Sequence, residues 1–481
     1  MFRLVDVPKA EIKSIHHASL NVLEKVGVSF PEKSALEALS AIGAEVDTQR
    51  HVVRFPEHVI KKTLGQVPRN FGLCARDKKN DVLVGNGQTF YKTSSIGLHI
   101  HDLETGKRRE ATREDVVRTA RIVDASPNIQ ILDPMVVPSD VPAKVSDHYR
   151  FKIAFENCSK HICTLAGAAT GTDEARDIIE IASCVAGSKE ELMKRPIISL
   201  IQEATSPLQY EPLGLQAVVE FAKSNIPICI STLPAGGATA PVTLAGELVI
   251  INAEVLSGIA LVQAVKRGCP VIFGSFASVM DPSKGVFLLG SPERPIMHVW
   301  VANLARYYKI PSMVGGLNSD ASIPGSQSVF EKTLTTTPLV LAGADIIHGA
   351  GCLEAALTYS LEQLVMDDEI AGAISRLVRG LEVNDETLAL EIIKKVGIGG
   401  HFLGEKHTRD HVVHERWFPT LFTRDRKSED FTSSVTLDRD LARSAKEKAR
   451  RILKSHQPEP LDNDIKQRIR EIAAKAEKRI S

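Results

Sequence analysis

The chain has 481 residues, 43% apolar and 25% charged, enough for one large barrel with additions or for two to three ordinary domains, in the balance of a soluble globular protein. Lys+Arg and Asp+Glu both number 59, so the formal net charge is zero and nothing predicts a nucleic-acid partner or an anionic membrane. Seven scattered cysteines without a C-x-x-C pair fit reduced thiols in a cytoplasmic setting; Cys163, Cys229, Cys269 and Cys352 sit in or beside apolar runs, as small core residues do.

The opening MFRLVDVPKAEIKS holds no apolar core suited to a signal peptide. The longest apolar stretches, such as residues 270–276, read as strand-length, short of the ~20 residues a spanning helix needs. Residues 1–85 are expected to form an appended subdomain: amphipathic helices at 10–26 and 32–42, then PEHVIKKTL and a short β segment, FGLCARD. Residues 90–101 are expected as a barrel strand, followed by a helix over 113–124 with Thr112 as its N-cap.

From about residue 128 onward, β-branched runs alternate with helical patterns. Strands are expected at 129–137, 161–166, 197–202, 228–233, 271–276, 312–317 and 346–348, with helices at 147–157, 173–186, 213–224, 244–267, 296–308, 329–342 and 362–379. Several strands are apolar on both faces, as in a buried parallel sheet, and Pro196, Pro227, Pro270 and Pro311 each stand just before one, where a missing N–H costs little. Together these units predict a (β/α)8 TIM barrel over residues 86–385, in the α/β class, rather than an open Rossmann sheet; no G-x-G-x-x-G or Walker sequence supports nucleotide binding. Residues 386–481 are expected as a helical extension, with charged helices at 444–456 and 464–479 that wrap the barrel or lie against another subunit.

In this fold the C-terminal ends of the strands and the following loops build the site. Those positions carry His99, His101 and Asp102; Asp133; Thr164 and Gly167; Gln202, Glu203 and Thr205; the run Ser231 to Pro241; Phe273, Ser275 and Phe276; Asn318, Ser319, Asp320 and Gln327; and His348 with Glu354 after it. Glycines at 236–237, 315–316 and 349–351 allow close backbone approach to a ligand, or simply tight turns. No lysine reads as a strand-end Schiff-base former, and no G-x-S-x-G elbow occurs. His407, His411 and His414 fall at i, i+4 and i+7, a spacing that suits zinc but lies beyond the last barrel unit, where capping, packing or partner contact is the simpler role. His161 and Cys163 alternate on one strand and make no compact ligand pair.

The segments HIHDLETGKRREATREDVV, GGLNSDASIPGSQSVFEK, LAGADIIHGAGCLEAALTYSLEQLVMDDEI and GHFLGEKHTRDHVVHERWFP, with SHQPEPLD, together resemble the trimethylamine methyltransferase superfamily over nearly the whole chain. The resemblance implies a TIM barrel that passes a methyl group to Co(I) of a corrinoid carried on a separate cognate protein, with no cofactor or metal held by this chain. The founding members carry pyrrolysine in the second half of the barrel. Only standard residues occur here, so the chain is similar to the non-pyrrolysine branch, which acts on quaternary amines such as glycine betaine, proline betaine and carnitine. Glycine betaine is the favoured donor, giving dimethylglycine; proline betaine, carnitine, choline and trimethylamine are the alternatives, and a non-catalytic betaine-binding barrel is a reading from another class. A homo-oligomer is expected.

The donor's positive charge disappears as its methyl leaves. A tight carboxylate pair would therefore stabilise the ground state too strongly, and a looser aromatic cage suits the reaction better. Aromatics make up only 5% of the chain, so Phe90, Tyr91, Phe273, Phe276 and Tyr210 stand out as cage candidates, with ordinary core packing as their other reading. His348, Asn318 and Gln327 are the expected donors to a substrate carboxylate. Glu203 and Asp320 are expected to face the cation or organise those donors, and His348, Glu203 and Asp320 are the catalytic candidates.

Overall fold

A computed structural model describes residues 6–165, 170–422 and 436–480. Eight parallel strands close into a barrel: β1 (Phe90–Thr93), β2 (Ile131–Leu132), β3 (His161–Leu165), β4 (Ile198–Ala204), β5 (Ile228–Thr232), β6 (Val271–Ser275), β7 (Ser312–Gly315) and β8 (Ile346–Ala350). Neighbours follow chain order and β8 pairs with β1, which closes the ring. The prolines that precede strands lose a donor but keep an acceptor: Leu200 N donates to Pro227 O, Ile228 N to Pro270 O and Phe273 N to Pro311 O.

Most of the expected strands end within a residue or two of their expected bounds, but two are much shorter than the sequence suggests. β2 spans two residues, because the Asp133 N–H is taken by Thr93 Oγ1 at 2.7 Å and Pro134 has no N–H to donate. The 90–101 segment splits. Phe90–Thr93 stays in the barrel, whereas His99–His101 joins a four-stranded sheet with Arg108–Glu110, Cys352–Leu353 and Thr358–Ser360. That sheet and a three-stranded one (Ala235–Gly236, Ser278–Asp281, Val286–Leu288) grow from the loops after β1, β8, β5 and β6, so they rim the C-terminal mouth.

The opposite mouth is plugged by a hairpin, Phe71–Leu73 with Val82–Val84. Leu73, Val82 and Val84 pack in one cluster with Ile131, Cys163, Ile201, Cys229, Ile272, Met313 and Ile346, the inward residues of seven strands. Strand residues alternate faces, so this cluster sets the parity of the whole lumen.

Helix Leu244–Val265, after β5, corrects the expectation that apolar stretches are only strand-length: it is long and apolar enough to cross a membrane by length and composition. Here 78% of its apolar window is buried. Helices Lys9–Lys25, Lys33–Ala41 and Glu57–Leu64 cover the side turned away from the barrel, and a helix apolar all round is one covered all round. At the other end, Thr436–Ser455 packs on Leu361–Arg379 and Arg113–Ala125, and Asn463–Ile480 on Thr172–Ala186 and Ser146–Asn157. These charged helices wrap the barrel through a narrow seam of small and aliphatic residues, Ala445, Ala449, Ile469, Ala473 and Ala476.

Candidate active site

Parity places the site. Phe90, Ile131, Ile201 and Ile346 point inward at the plugged end, so Lys92, Asp133, Glu203 and His348, two residues further along each strand, point inward toward the open mouth. Register confirms that Lys92, His348 and Gly315 lie side by side.

Lys92 is the centre of this layer and is fully buried. Its ammonium donates to Asp133 Oδ2 at 2.9 Å, Thr93 O at 3.2 Å and His348 Nδ1 at 3.1 Å. An ammonium has no lone pair, so His348 Nδ1 accepts and the ring proton sits on Nε2, 3.4 Å from Ser94 Oγ. Burial pushes the His348 imidazole well below its usual range, and Lys92 and Arg294 push the same way. The ring is therefore a neutral N–H donor. Phe276 packs against it with the rings tilted and centroids 4.4 Å apart. Burial also raises Asp133, against the pull of Lys92 and of Arg150, whose Nη2 lies 3.4 Å away.

Glu203 faces the same space from β4. Burial pushes its carboxyl up to about 7, with Lys92 lowering and Asp133 raising it. No hydrogen bond or ion pair links that carboxyl to another side chain among the described residues, which leaves it free for a ligand.

Of the expected residues, the lumen brings together His348, Glu203, Phe276 and Asp133, the last held by Lys92. Asn318 stands at the mouth, accepting from Arg294 Nη1 at 2.5 Å and donating to Cys352 Sγ at 3.1 Å. The others lie elsewhere. Tyr91 and Phe273 have the opposite parity: Tyr91 OH meets Ser375 Oγ, and Phe273 stacks on Tyr308 in the helix layer. Tyr210 stacks on Phe30, and its hydroxyl donates to Glu254 O. Phe90 packs at the plugged end. Both Asp320 oxygens accept backbone N–H groups, from Leu289 and Gly290, so this residue staples two loops. Gln327 is on the surface, donating to Glu331. Asp102 caps its own turn and binds Arg109. Gly167 lies outside the described residues.

The three C-terminal histidines lie on helix Lys406–Glu415; the His407 and His411 rings meet at a tilt with centroids 4.3 Å apart, and His411 lies against Glu386. Among the described residues no three His, Cys, Asp or Glu side chains converge to hold a metal. His161 sits at the plugged end, bonded to Cys74 O and Ser199 Oγ.

Sequence reasoning missed Lys92, which does stand at a strand end. Reading 90–101 as one strand hid it, although the Ser94–Ser95 pair and Gly97 mark the break. All three of its protons are engaged, which does not suit a Schiff base. Arg150 and Arg294 were missed because helices carry them, where a lone arginine reads as surface.

The family pattern described as trimethylamine methyltransferase (MTTB) matches residues 3–481. A trimethylamine methyltransferase MttB of Methanosarcina thermophila is 37% identical over 459 residues, 95% of this chain and 94% of that protein. Another, from Desulfitobacterium hafniense (strain DSM 10664 / DCB-2), is 34% identical over 476 residues, 99% of this chain and 95% of that protein. A glycine betaine methyltransferase of Desulfitobacterium hafniense (strain Y51) is 31% identical over 472 residues, covering 98% and 96%. The fold is shared with the crystal structure of the hydroxylamine MtmB complex, at a TM-score of 0.55 and 11% identity over 94% of this chain and 88% of that one. The Methanosarcina barkeri monomethylamine methyltransferase structure follows at 0.50, with 11% identity and 92% of each chain covered. The chain belongs to the trimethylamine methyltransferase (MTTB) family and is a methyltransferase.

Proposed function

We propose that this methyltransferase moves a methyl group from a quaternary amine, glycine betaine first, to Co(I) of a corrinoid on a separate cognate protein. The observation that carries the reading is the unengaged Glu203 carboxyl facing the lumen that also holds Phe276 and the neutral His348. An anion and an aromatic face suit a cation that cannot itself donate a hydrogen bond. In the transfer, the cobalt electron pair forms the bond to the methyl carbon, the C–N pair returns to nitrogen, and a neutral tertiary amine leaves. A quaternary nitrogen already carries the charge that makes it a leaving group, so the protein's task is to position the two reactants in line. The open end of the lumen, beside His348, is where the cobalt must approach.

The second reading is trimethylamine as donor, favoured by the 34–37% identities to proteins of that name. Anaerobic incubation with Co(I) cobalamin and a panel of methylated amines, followed by visible spectra, decides between them. Methyl-cobalt absorbance with a betaine supports the quaternary reading; absorbance with trimethylamine alone overturns it. We further propose self-association through the segment after the barrel, where Leu381 (78% exposed), Ile398 (110%) and Leu403 (86%) stand in solvent.

A further inference from the structure

Arg294 opens the helix Glu293–Tyr308 after β6 and is only 1% exposed. Its guanidinium reaches over Gly315, at a place where any side chain would collide with it. Gly315 pairs in register with His348, so the guanidinium lies on the inner face of the barrel mouth. Its partners are all neutral: Asn318 Oδ1 at 2.5 Å, Ala277 O at 3.3 Å and Phe276 O at 3.4 Å. The last two are long and readily exchanged. No carboxylate pairs with Arg294 among the described residues, and the nearby Asp320 has both oxygens on backbone amides. A buried guanidinium without a counter-ion is costly unless a ligand completes it. Asp320 offsets only part of its field, which still helps hold both His298 and His348 well below the usual imidazole range. One helical turn on, His298 binds Gly315 O through Nδ1, and its buried Nε2 has no partner among the described residues. The surroundings of Gly315 thus carry a positive charge and, on His298, a polar atom without a partner among the described residues.

We propose that Arg294 forms an anion subsite that takes the carboxylate of a zwitterionic methyl donor, leaving the ammonium end toward Phe276 and Glu203. The inference rests on the quaternary-amine reading and narrows it to donors with a carboxylate. Asn318 is the positioning residue, fixing the guanidinium through Nη1. The remaining donors on Nη2 and Nε exchange their long carbonyl bonds for carboxylate oxygens.

The test compares carboxylated donors (glycine betaine, proline betaine, carnitine) with carboxylate-free ones (choline, tetramethylammonium), using the full chain and Co(I) cobalamin anaerobically. In the wild type, kcat/KM for the best carboxylated donor should exceed that for tetramethylammonium by about a hundredfold. In Arg294→Gln that ratio should fall about a hundredfold, mostly through KM, and Arg294→Lys should recover part of it. If the Gln variant does not fold, acetate on the wild type replaces it: competitive inhibition against the carboxylated donor is expected, and none overturns the proposal. An unchanged ratio in a folded variant, or carboxylate-free donors serving the wild type equally well, also overturns it while leaving the quaternary-amine reading standing. Transfer from trimethylamine with no quaternary donor accepted overturns both.

Discussion

Glu203 offers the most direct probe of the lumen's electrostatics. Burial pushes its carboxyl up to about 7, so about a tenth of it is ionised at pH 6 and about nine tenths at pH 8. A cationic donor favours the ionised form, so binding lowers the Glu203 pKa and releases protons at and below neutrality. Affinity should rise with pH through 7 and level off above it, with Kd about tenfold weaker at pH 6 than at pH 8. A quaternary nitrogen does not titrate, so the slope belongs to the protein. In Glu203→Gln the pH dependence should vanish. The loss of affinity at pH 8 is bounded by the pair's Coulomb energy, about 3 kcal/mol for charges about 5 Å apart at an effective dielectric of about 20. Calorimetric titration with glycine betaine at pH 6, 7 and 8, in two buffers of different ionisation heat, reads both Kd and the protons released. A flat wild-type profile, or a Gln variant that keeps the slope, would refute the assignment.

The remaining predictions concern catalysis, stability and assembly. His348→Ala should slow methyl transfer from a betaine to Co(I) at least about tenfold with the fold retained, since it removes the Nε2–H beside Phe276; wild-type turnover would remove His348 from the site. Lys332→Met should destabilise the protein by about 3–5 kcal/mol in denaturant titration, because it strands the buried Asp367 that holds Lys332 at 2.9 Å and the Gly351 N–H at 2.6 Å; a loss below about 1 kcal/mol would contradict this. Burial raises Glu247 from 4.5 to about 8, so the folded state keeps a proton that the unfolded chain gives up. Wild-type stability from this group falls as pH rises through that window, by at most about 1.4 kcal/mol per unit. Glu247→Gln should therefore gain on the wild type steadily in melting temperature from acid to pH 8, and parallel pH profiles would argue against it. Serine at Leu381, Ile398 and Leu403 together should shift sedimentation toward the monomer if that segment joins copies; an unchanged sedimentation coefficient would exclude it.

Much of this molecule is a local property of its chain. Apolar runs, prolines at strand entrances and helix-length spacers follow from what each residue does to its neighbours, and they mark every barrel strand before any contact is known. His348, Glu203 and Phe276 were legible for the same reason, since a strand end in this fold points at the mouth. Tyr91 and Phe273 were not, because strand parity is decided by which face packs on the helices, and a one-residue offset turns a cage candidate into core. The apolar helix Leu244–Val265 makes sense only beside the N-terminal helices that cover it. Barrel closure alone brings Lys92 to Asp133 and to His348, 41 and 256 residues away in sequence. It also lays the helix-borne Arg294 over Gly315. The sequence by itself determined a barrel and the end of it where the candidate site lies. Which charges meet there, and which one is left without a counter-ion, was decided by tertiary structure, because ion pairing depends on distance through space and hydrophobic patterning does not record it.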